Sequence, residues 1–226
     1  MGMVIFVGGS TASGKSTFAD KLSDNIENSK KYRRYQGFFD IAMQRGIPKD
    51  EIFKKVSSAD VDDWFVNICK EFDCIISDVH YAIQMDRKSD ESSENIDIYQ
   101  EYVPTISKGL LEKLLSSGIK IVAIHISCSP ETCLRRAISR YNNQERELRN
   151  KSLKDAELEN IAEKREWKNI LSLNCVHGIE LNSELYSSSE LVEQCLEYFY
   201  NNNSYSILKK TKLKKTKKYS IENKKQ

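Results

Sequence analysis

The sequence has no long hydrophobic run. None of its apolar stretches approaches the roughly 18 to 20 residues that a helix needs to cross a bilayer. The first residues, Met1-Gly2-Met3-Val4, place no basic segment ahead of an apolar one, so they do not resemble a secretion signal. We therefore expect a cytoplasmic protein without a membrane span.

Cysteine pairs with metal-binding spacing are also lacking. The chain has 6 cysteines, and none of them forms the C-x-x-C pair that is typical of zinc sites. Most of them fall in apolar patterns, which favours buried, reduced thiols. The six are Cys69, Cys74, Cys128, Cys133, Cys175 and Cys195.

The net charge of +2 hides a strong asymmetry. Residues 209–226 contain nine lysines against the single Glu222, so the rest of the chain is net negative. Such a tail could bind nucleic acid or an anionic surface, or it could be a disordered, solubilising segment. We favour the second interpretation, because nothing in residues 1–208 resembles a nucleic-acid-binding module.

Apolar runs alternate with helical patterns along residues 1–208. Runs typical of buried strands lie at 4–8, 74–78, 119–128 and 176–181, with a weaker one at 32–36. Helical patterns of ten or more residues lie between them, including one at 98–116. This alternation predicts a single α/β domain with a parallel sheet.

A glycine-containing segment directly follows the first apolar run. It reads Gly9-Ser10-Thr11-Ala12-Ser13-Gly14-Lys15-Ser16, with Thr17 next, and it precedes a helical pattern. The spacing G-x-x-x-x-G-K-[ST] lets successive backbone N–H groups point at one anion, beside the positive N-terminus of the helix. We predict that residues 9–17 bind nucleotide phosphates, that Lys15 reaches the β- and γ-phosphates, and that Ser16 binds Mg²⁺.

An acidic residue ends the second strong strand pattern. Asp78 closes the run 74–78, and in parallel sheets ligands bind at the carboxyl ends of strands. Asp78 is therefore predicted to bind the Mg²⁺ shell, with a helix cap as the alternative role. His80 follows on the same edge, either as a contact to substrate or transferred phosphate, or as a solvent-facing loop residue.

Five arginines fall within fifteen residues after the 119–128 run. In the helical pattern, Arg136 and Arg140 share one face. Phosphoryl transfer requires positive charge around the moving group, which favours a catalytic role for them, with Arg146 as a further candidate. The alternative is a solvated helix with salt bridges to nearby glutamates.

In these residues the chain resembles the nucleoside-monophosphate-kinase-like group of P-loop kinases, which includes adenylate, guanylate and shikimate kinases. The resemblance implies a three-layer P-loop NTPase fold with a five-stranded parallel sheet in the order 2-3-1-4-5 and helices on both faces. It also implies ATP and Mg²⁺ as cofactors, a helical lid at about 140–153, and an acceptor region at about 33–65 and 79–105.

The acceptor region offers one further acidic candidate. Asp40, after Phe38 and Phe39, faintly resembles the acceptor segment of shikimate kinases, which implies that it orients or deprotonates an acceptor hydroxyl. The alternative is an ordinary acid near a helix N-terminus. Plausible pocket members, whose aromatics could equally be core, are Arg33, Arg34, Tyr35, Phe38, Phe39, Arg45 and Tyr81.

The sequence thus predicts an ATP-dependent phosphotransferase that acts on a small-molecule acceptor, such as a nucleotide, nucleoside or other hydroxyl metabolite. Two other classes remain open. One is a nucleotide-dependent switch or NTPase. The other is a kinase that acts on nucleic-acid ends, which the lysine tail would suit.

Overall fold

A computed structural model describes residues 2–88, 98–145, 152–173 and 175–201, with the backbone alone at 86–88 and 98–100. Residues 146–151 of the predicted lid, which include Arg146, and the lysine tail lie outside the described residues. Within the described part, no helix has both the length and the apolar character that a bilayer crossing requires. Of the six cysteines, five are buried and Cys175 is exposed.

Seven strands are described. They are β1 (Met3–Gly8), β2 (Ser29–Lys31), β3 (Cys74–Asp78), β4 (Ala82–Lys88), β5 (Ile98–Pro104), β6 (Lys120–Ser127) and β7 (Val176–Asn182). Five of them form one parallel sheet in the order β2-β3-β1-β6-β7. The predicted parallel sheet is therefore confirmed.

The strand numbering departs from the implied order 2-3-1-4-5. Two strands that we did not predict, β4 and β5, lie between β3 and β6 in the chain and form a separate antiparallel hairpin. The helix predicted at 98–116 was wrong in its first half. Isoleucine, tyrosine and valine between 98 and 104 favour an extended chain, and the helix begins only after Ser107, whose side chain caps it.

The weak strand pattern at 32–36 was also misplaced. The edge strand is β2, and its pairing with β3 ends where the N–H of Tyr32 donates to the carbonyl of Ile76 at 3.0 Å. The chain then turns, with the N–H of Gln36 donating to the carbonyl of Arg33 at 2.8 Å. This turn leaves Arg33 at the carboxyl edge of the sheet.

Eight α-helices and one short 3-10 turn, Lys49–Glu51, complete the described elements. The helices are α1 (Lys15–Asn25), α2 (Gln36–Arg45), α3 (Ile52–Lys55), α4 (Ser58–Glu71), α5 (Lys108–Ser116), α6 (Pro130–Asn142), α7 (Leu153–Leu171) and α8 (Ser188–Asn201). Ser129 caps α6 ahead of Pro130, as serine before a first-turn proline predicts.

Both faces of the sheet are buried. Ile5 of β1 belongs to a core that includes Phe18 of α1 and Phe199 of α8. Phe6 points to the other face, into a core built with α4, α5 and α7. Because both faces are covered, the central strands read as continuous apolar runs instead of alternating ones.

The strand register sets the position of the site. In β1, Val7 pairs with Asp78 on one side and with Ile124 on the other. The carboxyl ends of β3, β1 and β6 therefore meet at one edge, directly beside the segment that follows β1.

Candidate functional site

The predicted phosphate-binding loop at 9–17 connects β1 to α1. Gly9 and Gly14 have φ angles of 145° and 97°, which glycine adopts without steric cost. Ala12 is also left-handed, with φ 65°, a conformation that costs a residue with a side chain about 1–2 kcal/mol. The helix begins at Lys15, so its unpaired N–H groups face the curled loop.

Lys15 is held against the loop. Its side chain is buried, with the residue 9% exposed, and its Nζ donates to the carbonyl of Ser10 at 3.2 Å. The N–H of Ser13 donates to the same carbonyl at 3.1 Å. The ammonium group therefore lies within the concave segment where an anion would find both charge and amide donors.

The strand-end acid lies where the sequence predicted it. The Oγ of Ser16 donates to Asp78 Oδ2 at 2.8 Å, and Arg33 binds the same carboxylate with two nitrogens, at 2.6 and 2.7 Å. Burial tends to raise the pKa of Asp78, but the hydrogen bonds from Arg33 and Ser16 outweigh it and hold the pKa at about 2. Asp78 is therefore a carboxylate at neutral pH.

A third element contacts the loop, and the sequence did not predict it. Glu159 of α7 accepts hydrogen bonds from the N–H of Thr11 at 3.0 Å and from its hydroxyl at 2.8 Å. The next residue, Asn160, accepts a hydrogen bond from the hydroxyl of Ser10. Helix α7 therefore binds the first half of the loop through two side chains.

Glu163, one turn further along α7, joins the loop to the end of β3. Its carboxyl group accepts from the N–H of Tyr81 at 2.8 Å and from the N–H of Gly9, and it lies 2.8 Å from His80 Nδ1. Burial raises the pKa of Glu163 to about 8, and the nearby charge of Lys15 acts in the opposite direction. His80 therefore contacts α7 and is not a solvent-facing loop residue.

Two groups of side chains have ligand types that suit a cation. Ser16 and Asp78 offer hard oxygen ligands, as Mg²⁺ prefers. The metal-ligating atoms of His80, Glu159 and Glu163 lie within 4.8 Å of one another. The second group includes an imidazole nitrogen, which suits Mg²⁺ less well than oxygen ligands do, so the first group fits Mg²⁺ better.

Comparison with known proteins gave no matching family model and no matching curated protein. Solved structures do match. A sugar kinase from Janibacter sp. HTCC2649 has 16% sequence identity and a TM-score of 0.50, covering 88% of this chain and 95% of that chain. The YorR protein from Bacillus subtilis, in complex with phosphorylated GDP, has 15% identity and a TM-score of 0.50, covering 89% of this chain and 98% of that chain.

The chain has the fold of the small P-loop kinases. The likeness extends over nearly the whole length of both matched chains. The resemblance found in the sequence therefore extends to the fold.

Within this P-loop kinase fold, Asp40 lies on α2 and is bound to Tyr32. The Tyr32 hydroxyl donates to Asp40 Oδ2 and accepts from Trp64 Nε1 at 3.0 Å. Burial, followed by the hydrogen bond to Asp40, raises the pKa of Tyr32. The catalytic role of Asp40 stays a prediction, because its hydrogen bond links it to the β2 edge and not to the loop.

The predicted lid arginines lie on α6. Arg136 donates to the Sγ of Cys128 at 3.4 Å, and to the hydroxyl and carbonyl of Ser183 at 3.3 and 3.1 Å. Arg140 is half-buried in the last turn of the helix. Arg136 is thus fixed near the carboxyl ends of β6 and β7, and the catalytic role of both arginines stays a prediction.

Among the aromatic residues suggested for the acceptor pocket, one lies in the core and others lie on the surface. Tyr81 is fully buried, and its hydroxyl lies within hydrogen-bonding distance of the carbonyls of Phe6 and Ile124, so of the two alternatives left open for it, core and pocket, the structure favours the core. Tyr35 and Phe39 are exposed and form an edge-to-face pair with ring centroids 5.2 Å apart. An exposed aromatic pair of this kind is available to a ligand.

One signal in the sequence could have revealed the role of α7. Ala156, Glu159, Glu163, Trp167 and Ile170 are all buried, and their spacing of three or four residues places them on one face of the helix. Two acids on a buried face require polar partners inside the protein. Backbone N–H groups of the phosphate-binding loop supply such partners to both glutamates.

Proposed function

We propose that the protein is an ATP-dependent phosphotransferase that moves the γ-phosphate to a small-molecule acceptor, such as a nucleotide, nucleoside or other hydroxyl metabolite. One observation carries the proposal. The Ser16 hydroxyl donates a hydrogen bond to the ionised Asp78 at 2.8 Å, and on the same loop Lys15 is buried, with its ammonium group on the carbonyl of Ser10. A loop that served only as a turn would need neither group.

The loop residues fit a bound nucleotide. The buried hydroxyl of Ser13 has no hydrogen-bond partner in the described part of the chain, and a buried hydroxyl normally has one. Phosphate oxygens would supply that partner while accepting from the amides of residues 9–17 and from Lys15. When bound, ATP supplies the transferable phosphoryl group, and Mg²⁺ offsets the charge of its oxygens.

The remaining residues take roles around the transferred group. Ser16 and Asp78 would hold Mg²⁺, with Arg33 keeping Asp78 in one orientation through its two-nitrogen contact. Arg136 and Arg140 would carry positive charge to the phosphoryl oxygens. Support for this role comes from the contacts of Arg136 to Cys128 and Ser183, which follow β6 and β7. Asp40 would orient an acceptor hydroxyl.

The proposal is tested by measuring ADP formation with Mg²⁺ against a panel of nucleosides, nucleoside monophosphates, sugars and amino-alcohols. Lys15→Ala should abolish phosphoryl transfer and leave the far-ultraviolet circular dichroism unchanged, because Lys15 serves the phosphates and not the core. Lys21→Ala, on the same helix with its Nζ on the Ser189 hydroxyl, is the matched control and should keep full activity. Turnover retained by Lys15→Ala would contradict the assignment.

A further inference from the structure

Two cysteines flank the start of α6. Ser129 caps this helix and Pro130 is its first residue, so Cys128 directly precedes the cap and Cys133 is the fourth residue of the helix. Side chains at these two positions commonly pack against each other at helix starts. The N–H of Cys133 donates to the carbonyl of Ser129 at 2.9 Å, which fixes the turn. The local geometry therefore brings the two thiols together.

The Cys128 sulfur is surrounded by hydrogen-bond donors. The Nη1 of Arg136 donates to Cys128 Sγ at 3.4 Å. A hydrogen bond from Cys133 lowers the pKa of Cys128 to about 7, with smaller contributions in the same direction from Ser183 and Arg136, while burial opposes them. The same hydrogen bond raises the pKa of Cys133. At neutral pH, Cys128 is therefore substantially a thiolate, and Cys133 keeps its proton.

The other buried cysteines lack such donors. Burial raises the pKa of Cys69, Cys74 and Cys195, and each of them is 0% exposed. Cys128 is 6% exposed, which is the largest value among the five buried cysteines. Because oxidation of cysteine follows thiolate character and exposure, Cys128 is the most reactive of these five thiols.

We propose that Cys128 and Cys133 are a dithiol site that a peroxide oxidises to a disulfide. With hydrogen peroxide, the Cys128 thiolate attacks one oxygen, so that an S–O bond forms, the O–O bond breaks and hydroxide leaves. The Cys133 sulfur then attacks the sulfur of this sulfenic acid. An S–S bond forms, and the oxygen leaves as water with the Cys133 proton. Two electrons pass from the sulfurs to the peroxide.

The surroundings of the dithiol site are compatible with both oxidation states. Asn160 Nδ2 donates to the carbonyl of Cys128 at 2.8 Å, and this bond does not involve the sulfur. Arg136 also donates to the hydroxyl and the carbonyl of Ser183, at 3.3 and 3.1 Å. Its guanidinium group therefore keeps hydrogen-bond partners when the thiolate is consumed, so the oxidation can be reversed without rebuilding the site.

The test uses the wild-type protein and hydrogen peroxide in small molar excess. The treated protein is unfolded, its free thiols are labelled with N-ethylmaleimide, and it is digested with trypsin. Both cysteines of the dithiol site fall in one tryptic peptide, residues 121–135. We expect this peptide to lose two hydrogen atoms and to carry no label. Dithiothreitol given before labelling should restore both labels, and Cys69, Cys74 and Cys195 should be labelled throughout.

Single variants assign the two roles. Cys133→Ser keeps a hydroxyl donor and removes the second sulfur, so Cys128 should remain a sulfenic acid that dimedone labels. Cys128→Ser should leave Cys133 reduced and labelled. The control is Cys175→Ser, which removes the exposed thiol and should give the same oxidised peptide as the wild type. Circular dichroism verifies that each variant is folded.

Three results with the wild-type protein would overturn the proposal. They are full labelling of both cysteines after peroxide, a disulfide that joins either of them to a different cysteine, and sulfinic acid at Cys128 without a disulfide. The dithiol site goes beyond the proposed phosphotransferase function and does not depend on it. Because peptide masses are measured without turnover, failure of one proposal leaves the other standing.

Discussion

Gly8, the last residue of β1, provides the sharpest test of how the loop is supported. A Cβ atom at this position would lie 2.2 Å from Cε2 of Tyr81 and 2.4 Å from its Cδ2. The ring cannot easily move away, because its hydroxyl donates to the carbonyls of Phe6 and Ile124 at 3.0 and 2.8 Å. Gly8→Ala must therefore displace a fully buried side chain.

The expected destabilisation has two parts. Overpacking of a filled core costs about 1–3 kcal/mol. If the Tyr81 hydroxyl loses its buried partners, a further 1–3 kcal/mol or so is lost. The sum of about 2–6 kcal/mol is below the middle of the range of about 5–15 kcal/mol that is typical of total stability, so we expect the variant to fold. With an m-value of about 3 kcal/mol/M, its urea midpoint should fall by about 0.7–2 M.

Two controls make the measurement specific. In a Tyr81→Val background the ring atoms are absent, so adding Gly8→Ala should change the free energy of unfolding by less than about 0.5 kcal/mol or raise it. Gly109→Ala in α5, whose Cβ would lie 3.9 Å from the Ser107 hydroxyl, should stabilise the protein by about 0.5–1 kcal/mol. An equal penalty for Gly8→Ala in both Tyr81 backgrounds would refute the reasoning.

Two further predictions concern the charged groups of the site. Arg33→Ala should lower the free energy of unfolding by about 1–3 kcal/mol, towards the lower end because the Arg33 side chain is 45% exposed. Because the pKa of Asp78 is lowered to about 2, this contribution should be complete above about pH 4 and disappear as the pH falls towards 2. Arg45→Ala, which breaks a more exposed pair, is the control, and equal effects of the two variants in urea unfolding at neutral pH would contradict the prediction. Glu163 has its pKa raised from 4.5 to about 8, so the folded protein holds a proton that the unfolded chain releases, and its contribution to stability should fall as the pH rises between these values. Glu163→Gln should therefore lose less stability than the wild type between about pH 5 and pH 8, and parallel profiles would show that the proton is not held.

Local sequence patterns predicted the parts of the site that one segment contains. The loop at 9–17 and the strand that ends at Asp78 each depend on a short run of residues, and the structure has both in the predicted elements. Their contact follows from the topology, since parallel strands bring their carboxyl ends to one edge. These features were predictable because local chemistry and strand direction suffice to fix them.

Contacts between distant segments were not predictable in the same way. Glu159 and Thr11 are 148 residues apart in sequence. No pattern within either segment predicts which helix contacts the phosphate-binding loop. The hairpin β4–β5 was missed for a related reason. The strand at 98–104 is stabilised by pairing with 82–88. Considered without that pairing, the same residues are also compatible with the start of a helix.

Arg33 shows how a correct candidate can take an unexpected role. The sequence analysis named Arg33 as a candidate for the acceptor pocket. In the structure, two nitrogens of Arg33 bind the carboxylate of Asp78. Whether an arginine binds a ligand or a carboxylate of the protein depends on which acid the fold brings near. That information is absent from the residues around position 33.

The most direct test of the central claim follows the γ-phosphate itself. Mass spectrometry of the acceptor after incubation with MgATP and the wild-type protein should detect one added phosphoryl group on a small-molecule acceptor, in amounts equal to the ADP formed. The Lys15→Ala protein should give neither product. ADP formed at the same rate without any acceptor, with no phosphorylated compound in the mixture, would contradict the account.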